Sequence, residues 1–172
     1  DEFSWYEKKP LSGRRIIVTH SRPEELAALL RRDGAEVLEL PAIRRRILKE
    51  RDMFTKFEEE TAEKIWLTFM SPAAVESFFT AAGTCTADMR CIFRDGRSVG
   101  FAAAGAATAK KLRSYGWKAD FVPEVYSAKS LGAILAEQTD SRTKVFLIGA
   151  KEISADITEE LKRTEVRWEH LA

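Results

Sequence analysis

Ser98-Val99-Gly100-Phe101-Ala102-Ala103-Ala104-Gly105-Ala106-Ala107-Thr108-Ala109-Lys110-Lys111-Leu112 is the stretch whose reading decides the fold. Residues 99–104 are a short apolar run, the length of a strand buried on both faces. Gly105 interrupts the run and permits a sharp turn and a close backbone approach. Ala, Lys and Leu, which follow, are good helix formers. The stretch therefore predicts a buried strand that passes at once into a helix. The first N–H groups of such a helix have no intrahelical partner and point out at the end of the strand, where they can hold an anion. In an open parallel sheet, that edge is where ligands bind.

The same design recurs on both sides. Residues 65–70 predict a strand, and Ser71-Pro72 opens a helix with Val75, Phe78 and Phe79 as its buried stripe. Residues 14–20 predict the first strand. Ser21 is expected to cap the next helix, with Pro23 in its first turn and Glu24 three residues after the cap. That helix uses Leu26, Leu29 and Leu30 and stops at Asp33-Gly34, before a second strand at 36–43. Downstream, the central helix ends at Tyr115-Gly116. A short strand is expected at 118–122, then a helix capped by Ser127 with Leu131, Ile134 and Leu135 buried. A strand at 144–148, a helix at about 153–163 and a strand from 165 complete the series. Residues 44–64 form a charged segment with Leu48, Phe54 and Phe57 at helical spacing, and 81–97 read as a polar loop. About seven strands alternating with helices make an α/β protein with parallel sheets.

The 172 residues suffice for one domain or two small ones. At 45% hydrophobic and 32% charged the chain has an ordinary globular composition, and a net charge of +1 gives no field that argues for nucleic acid or membrane. Its apolar runs fall well short of the roughly 18 residues of a membrane helix. The polar, acidic start is not a signal peptide, so a cytoplasmic location is expected. Cys85 and Cys91 lack zinc spacing and are expected to be free thiols, with no metal site. Residues 1–13 read as a tether, and the start at Asp1 suggests a chain cut from a longer protein.

The ordered segments resemble uroporphyrinogen-III synthase. Residues 15–23, Arg-Ile-Ile-Val-Thr-His-Ser-Arg-Pro, are similar to the family's opening strand and turn, and 34–43 to its second strand with Pro41. Trp66-Leu67-Thr68-Phe69-Met70-Ser71-Pro72-Ala73-Ala74-Val75 with Phe78-Phe79 is similar to its next strand–helix junction. The unit from Ala103 through Thr108, Leu112, Gly116, Val122-Pro123 and Ser127-Ala128 to Leu131 follows in order. Residues 4–13 look like the linker found where this synthase is fused behind a uroporphyrinogen-III methyltransferase. Met70 and Ala73 depart from the family's Thr and Asn, and Ile148-Gly149-Ala150 lacks its usual basic residue, with Lys151 a substitute.

The resemblance implies two flavodoxin-like parallel-sheet domains, the first only partly present. Residues 14–43 would supply the first strand–helix–strand unit of a discontinuous domain, 44–164 a second domain, and 165–172 a connector returning to the first. It also implies cyclisation of hydroxymethylbilane, a linear tetrapyrrole, with inversion of the last pyrrole ring and loss of water, and no metal or organic cofactor. The substrate's eight carboxylates require N–H and hydroxyl donors, for which helix N-termini are suited. The residues implied to bind it are His20, Ser21, Ser71, Gly105, Ala106, Thr108, Ser127 and Ala128. The serines are most simply helix caps, a role compatible with a ligand contact; Thr108 is equally well a buried or solvated helix residue, and a lone histidine such as His20 is more often structural or exposed. Tyr126, Lys151, His170 and the charge run Arg44-Arg45-Arg46 are further candidates to meet an acidic substrate. Two other readings stand beside this one. One is a non-catalytic tetrapyrrole- or anion-binding module of a fusion protein. The other is a nucleotide- or flavin-binding domain, for which no G-x-G-x-x-G or P-loop pattern is present.

Overall fold

The computed structural model describes residues 8–42, 53–84, 89–125, 127–164 and 166–172. The chain forms two compact units, 1–47 and 48–172. Tyr126, Cys85, Leu48 and Arg44-Arg45-Arg46 lie outside the described residues.

The first unit is a strand–helix–strand: β1 (Arg15–Val18), α1 (Glu24–Arg32) and β2 (Glu36–Glu39), the strands parallel with Ile17 beside Leu38. Ala27 of α1 and Val18 of β1 are buried. Gly34 takes φ +96° just past the helix, a left-handed conformation that glycine adopts without steric cost. A Cβ there would also lie 2.8 Å from Lys9 Cβ. Residues 8–13, read as part of a tether, instead fold back, and Leu11 N–H donates to Asp33 O at 2.9 Å. Both strands are shorter than the sequence predicts. The pairing continues through single bonds from Leu40 N–H to Val18 O and from Ala42 N–H to Thr19 O. Pro41, between them, has no N–H to add. Ile17, Leu38 and Leu40 stay exposed.

The second unit contains α2 (Met53–Glu59), β3 (Lys64–Phe69), α3 (Pro72–Thr84), a 3₁₀ segment (Met89–Gly96), β4 (Ser98–Ala103), α4 (Ala106–Ser114), α5 (Ala128–Glu137), β5 (Thr143–Ile148), α6 (Ala155–Lys162) and β6 (Arg167–Leu171). The sheet is wholly parallel in the order β4-β3-β5-β6. Numbered within the unit this is 2-1-3-4, the start of the flavodoxin-like series, and the order reverses at β3.

Alternation along the strands feeds two cores. Ile65, Leu67, Phe69, Phe101, Phe146 and Ile148 face α2, α3 and α4, whose Phe54, Phe57, Val75, Phe78 and Leu112 cover them. Trp66, Ala102, Val145 and Leu147 face Leu131 and Leu135 of α5 and Ile157 and Leu161 of α6. Accordingly α3 packs on α4, and α5 on α6.

Three expectations are corrected. Residues 118–122 contribute only a bridge, Phe121 to Ala102. The Asp120 carboxylate accepts the Phe101 N–H at 2.8 Å and so takes a ladder position that a strand would fill. Residues 81–97 are not one polar loop: α3 runs to Thr84, and the 3₁₀ segment buries Cys91 and Ile92. Residues 167–171, expected in a connector, are an integral strand of the second unit's sheet, Val145 pairing with Trp168 and Leu147 with His170. Burial of Leu171 and Val166 holds that strand in place.

A chain of ion pairs ties α2 and the residues after it to β5 and β6. Lys56 meets Glu169 at 2.8 Å, Glu169 meets Lys144 at 3.2 Å, and Glu60 lies 3.9 Å from Lys144 and 3.3 Å from Arg167. Burial alone would raise the Glu169 carboxyl, but the hydrogen bonds from Lys56 and Lys144 outweigh it and hold the group below its ordinary value of 4.5. A carboxylate depressed on folding stabilises above its unfolded pKa and loses that contribution as pH falls through the folded one. Stability should therefore decline as pH drops below about 4.5, and Glu169→Gln should be less stable near neutrality yet lose less on acidification. Urea midpoints measured across that range check this; parallel curves for both proteins would refute it.

Candidate functional site

The C-terminal edge of the second unit's sheet is where four helices begin, α3, α4, α5 and α6. Three backbone bonds set this edge: Met70 N–H to Ile148 O at 3.0 Å, Ala104 N–H to Phe69 O at 2.9 Å, and Gly149 N–H to Leu171 O at 3.0 Å.

Ser71 caps α3, its Oγ accepting the Ala74 N–H at 3.1 Å, with Pro72 as the first helical residue. Ser127 caps α5: its Oγ accepts the Ser130 N–H at 2.9 Å and donates to Ser130 Oγ at 2.7 Å. Gly105 occupies the N-cap of α4 with φ −174° and ψ 175°. That is extended backbone open to any residue, so the sharp glycine turn expected there is not what the position uses. Its cap has no side-chain hydrogen bond, and the first amides of α4 keep no intrahelical acceptor. Ala106 is exposed at this end. Thr108, one turn in, is only 3% exposed and belongs to the interior rather than to an open cleft. Ala128 is half-buried against the α5–α6 core.

The charge in the first turn separates α3, α4 and α5 from α1 and α6. No acidic residue stands in the first turn of α3, α4 or α5. By contrast α1 carries Glu24 and Glu25 there, and α6 carries Asp156. An acidic first turn neutralises the positive end of the helix dipole, so among the helices that begin at this edge α3, α4 and α5 are the ends left to attract an external anion.

His20 and Ser21 belong to the first unit. Ser21 does not cap α1: Pro23 takes the N-cap position and no side chain bonds there. The local turn is closed instead by His20, whose Nδ1 lies 3.2 Å from Arg22 N. Pro23 is already in helical conformation, which moves the cap one turn position beyond the serine's reach. Lys151 is exposed after β5. His170 lies on β6 with Nε2 buried.

Sequence reasoning treats Met70 only as a departure, whereas the structure gives it a seat. A Cβ on Gly149 would lie 3.2 Å from Met70 Cβ and 3.2 Å from its Cγ, so the bare glycine makes room for the methionine across the strand gap. A glycine directly after an apolar strand was the available signal.

Comparisons with known proteins place the fold. A family model described as uroporphyrinogen-III synthase HemD matches residues 24–172. The porphyrin biosynthesis protein HemD of Ruminiclostridium josui is 29% identical over 175 residues, covering 99% of this chain and 34% of its own length. A solved mutant uroporphyrinogen III synthase of the extremely thermophilic bacterium Thermus thermophilus superposes with a TM-score of 0.65 at 18% identity, over 92% of this chain and 61% of the other. A second Thermus thermophilus synthase structure gives 0.58 at 21% identity, with 92% and 61% covered. The chain thus spans about a third of the curated relative and about three-fifths of the solved ones. On the extent of the family match, the chain belongs to the uroporphyrinogen-III synthase HemD family.

Proposed function

We propose that the chain acts as a uroporphyrinogen-III synthase, cyclising hydroxymethylbilane with inversion of the last ring and loss of water. The observation that carries this reading is the set of three helix ends, α3, α4 and α5, gathered at one sheet edge with no acid in their first turns. They suit a substrate with many carboxylates. Loss of the hydroxyl leaves a cationic pyrrole, and the protein's main task is to hold the chain folded so that the inverted ring closes first. Ser71, Ser127 and the amides at Gly105 and Ala106 hold acid side chains in this scheme. His20 and Ser21 of the first unit stay candidates on the family resemblance alone. The reading places the chain in the cytoplasm, working beside or fused to a uroporphyrinogen-III methyltransferase. The greater length of the curated relative supports a longer assembly.

Incubation with freshly generated hydroxymethylbilane, followed by oxidation and separation of the porphyrin isomers, tests this. The type III isomer should exceed type I; type I alone would sink the reading. In that case the second reading, a tetrapyrrole-binding module without turnover, takes over. It is favoured by Met70 seated across Gly149 at the sheet edge, and retained binding of uroporphyrin III would identify it.

A further inference from the structure

The order of the second unit's sheet reverses between β3 and β5. The helix after β3, α3, covers one face of the sheet, and the helix after β5, α6, covers the other. The two chains therefore part at the ends of neighbouring strands, and in an open parallel sheet that is where a ligand seats. Met70 follows β3 and Gly149 follows β5, with Phe69 beside Ile148 as the last pair before them. Met70 is half-buried, and strand alternation turns its side chain to the α5–α6 side, where it packs on the rim of that core. Ile153, in the segment between β5 and α6, is also half-buried on the same rim. A Cβ on Gly149 would lie 3.2 Å from Met70 Cβ and Cγ and 3.7 Å from Ile153 Cγ2. Both apolar side chains thus reach the glycine from either side, and it places no side chain between them.

This pair stands beside helix ends that suit anions. Met70 directly precedes Ser71, the cap of α3, and Ala128, the first residue of α5, packs on the same core as Met70 and Ile153. Neither helix has an acid in its first turn, whereas α6 carries Asp156 there. Amide donors answer the carboxylates of a tetrapyrrole but not its rings, which need apolar contact. Met70 supplies it adaptably: an unbranched thioether follows the shape of a ring and meets its edge with sulfur at about 5 Å. Ile153, stiff at χ1, supplies a fixed wall. We infer that Met70 and Ile153, on either side of Gly149, form the floor on which one pyrrole ring of the substrate rests, with that ring's acid side chains turned to the ends of α3 and α5. The inference rests on the chain binding a tetrapyrrole, with or without turnover. Met70 is then a binding residue that selects for a ring.

The test uses the full chain and uroporphyrin III as probe, its own fluorescence reporting binding. Met70→Gln, close in size but polar, should raise the dissociation constant at least fivefold. Met70→Leu, which keeps the site apolar, should stay within about threefold of the parent chain. Ile153→Gln lies outside helix and strand and should raise the constant at least threefold, so it decides the matter alone if Met70→Gln does not fold. With hydroxymethylbilane, KM of Met70→Gln should rise by the same factor while kcat stays within twofold, a split that loosened packing does not produce. The floor is overturned if the parent chain does not bind uroporphyrin III, if the glutamine variants that fold bind it as the parent does, or if Met70→Leu loses as much as Met70→Gln. If the parent chain makes the type III isomer while Met70→Gln binds as the parent does, the floor fails and the synthase reading stands. If binding depends on Met70 as expected and only type I forms, the synthase reading fails and the floor stands.

Discussion

Phe57→Ala should cost about 3–5 kcal/mol, a large part of the roughly 5–15 kcal/mol that holds a typical domain folded. Phe57 is fully buried, and its ring meets Phe54 at 5.8 Å, Phe78 at 6.2 Å and Phe146 at 4.8 Å between centroids. It thus joins α2 to α3 and to the central sheet. Its carbonyl also accepts Arg97 Nη1 at 2.8 Å, which anchors the start of β4 to α2. Truncation leaves a cavity among three rings that cannot close without moving a helix, so the penalty exceeds simple transfer to water. Urea unfolding of the variant beside Phe93→Ala makes the comparison. Phe93 is 40% exposed and should lose about 1 kcal/mol or less. Equal losses at the two positions would mean that the aromatic cluster is not the keystone of this layer.

Gly100→Val should be the second most damaging change, for the opposite reason. A Cβ at Gly100 would lie 2.6 Å from Trp66 Cε3, 2.7 Å from Cζ3 and 2.9 Å from Cδ2. These are ring atoms on the neighbouring strand, where Trp66 pairs with Gly100, and a rigid indole cannot give way as the end of a flexible side chain would. Overpacking of this kind costs about 1–3 kcal/mol, and valine adds two methyls beyond the Cβ. For a chain of this length each kcal/mol lowers the unfolding temperature by about 2–4 °C. The double variant Trp66→Leu/Gly100→Val should recover much of the loss, because the two side chains then share the space that the indole alone fills. Strict additivity in that cycle would show that the clash is not the cause.

Both sites illustrate what could be read in advance. The helical spacing of Phe54 and Phe57 marks a face that covers a sheet, and α2 does so. The serine–proline start at Ser71-Pro72 and the serine at 127 name their helix caps correctly, because a cap is satisfied by amides within one turn of the serine. Ser21 shows the limit of that logic: the same residue types lie in the same order, yet Pro23 takes the cap position and His20 closes the turn. Competing local hydrogen bonds of similar energy cannot be ranked from residue type alone. Residues 118–122 fail as a strand for a related reason. Their apolar pattern is adequate, but the Asp120 side chain occupies the ladder.

From sequence alone came the alternation of strand and helix, the parallel α/β class, the two cap serines and the glycine-bounded junction after β4. All of these depend on interactions within a few residues, which periodicity and turn chemistry record. Tertiary structure alone decided the order β4-β3-β5-β6, the placing of residues 167–171 in that sheet, and the seat of Met70 on Gly149. Those features depend on strand register between segments far apart in the chain. Local propensity carries no record of register, because the pairing energy of a strand lies in the neighbours it meets.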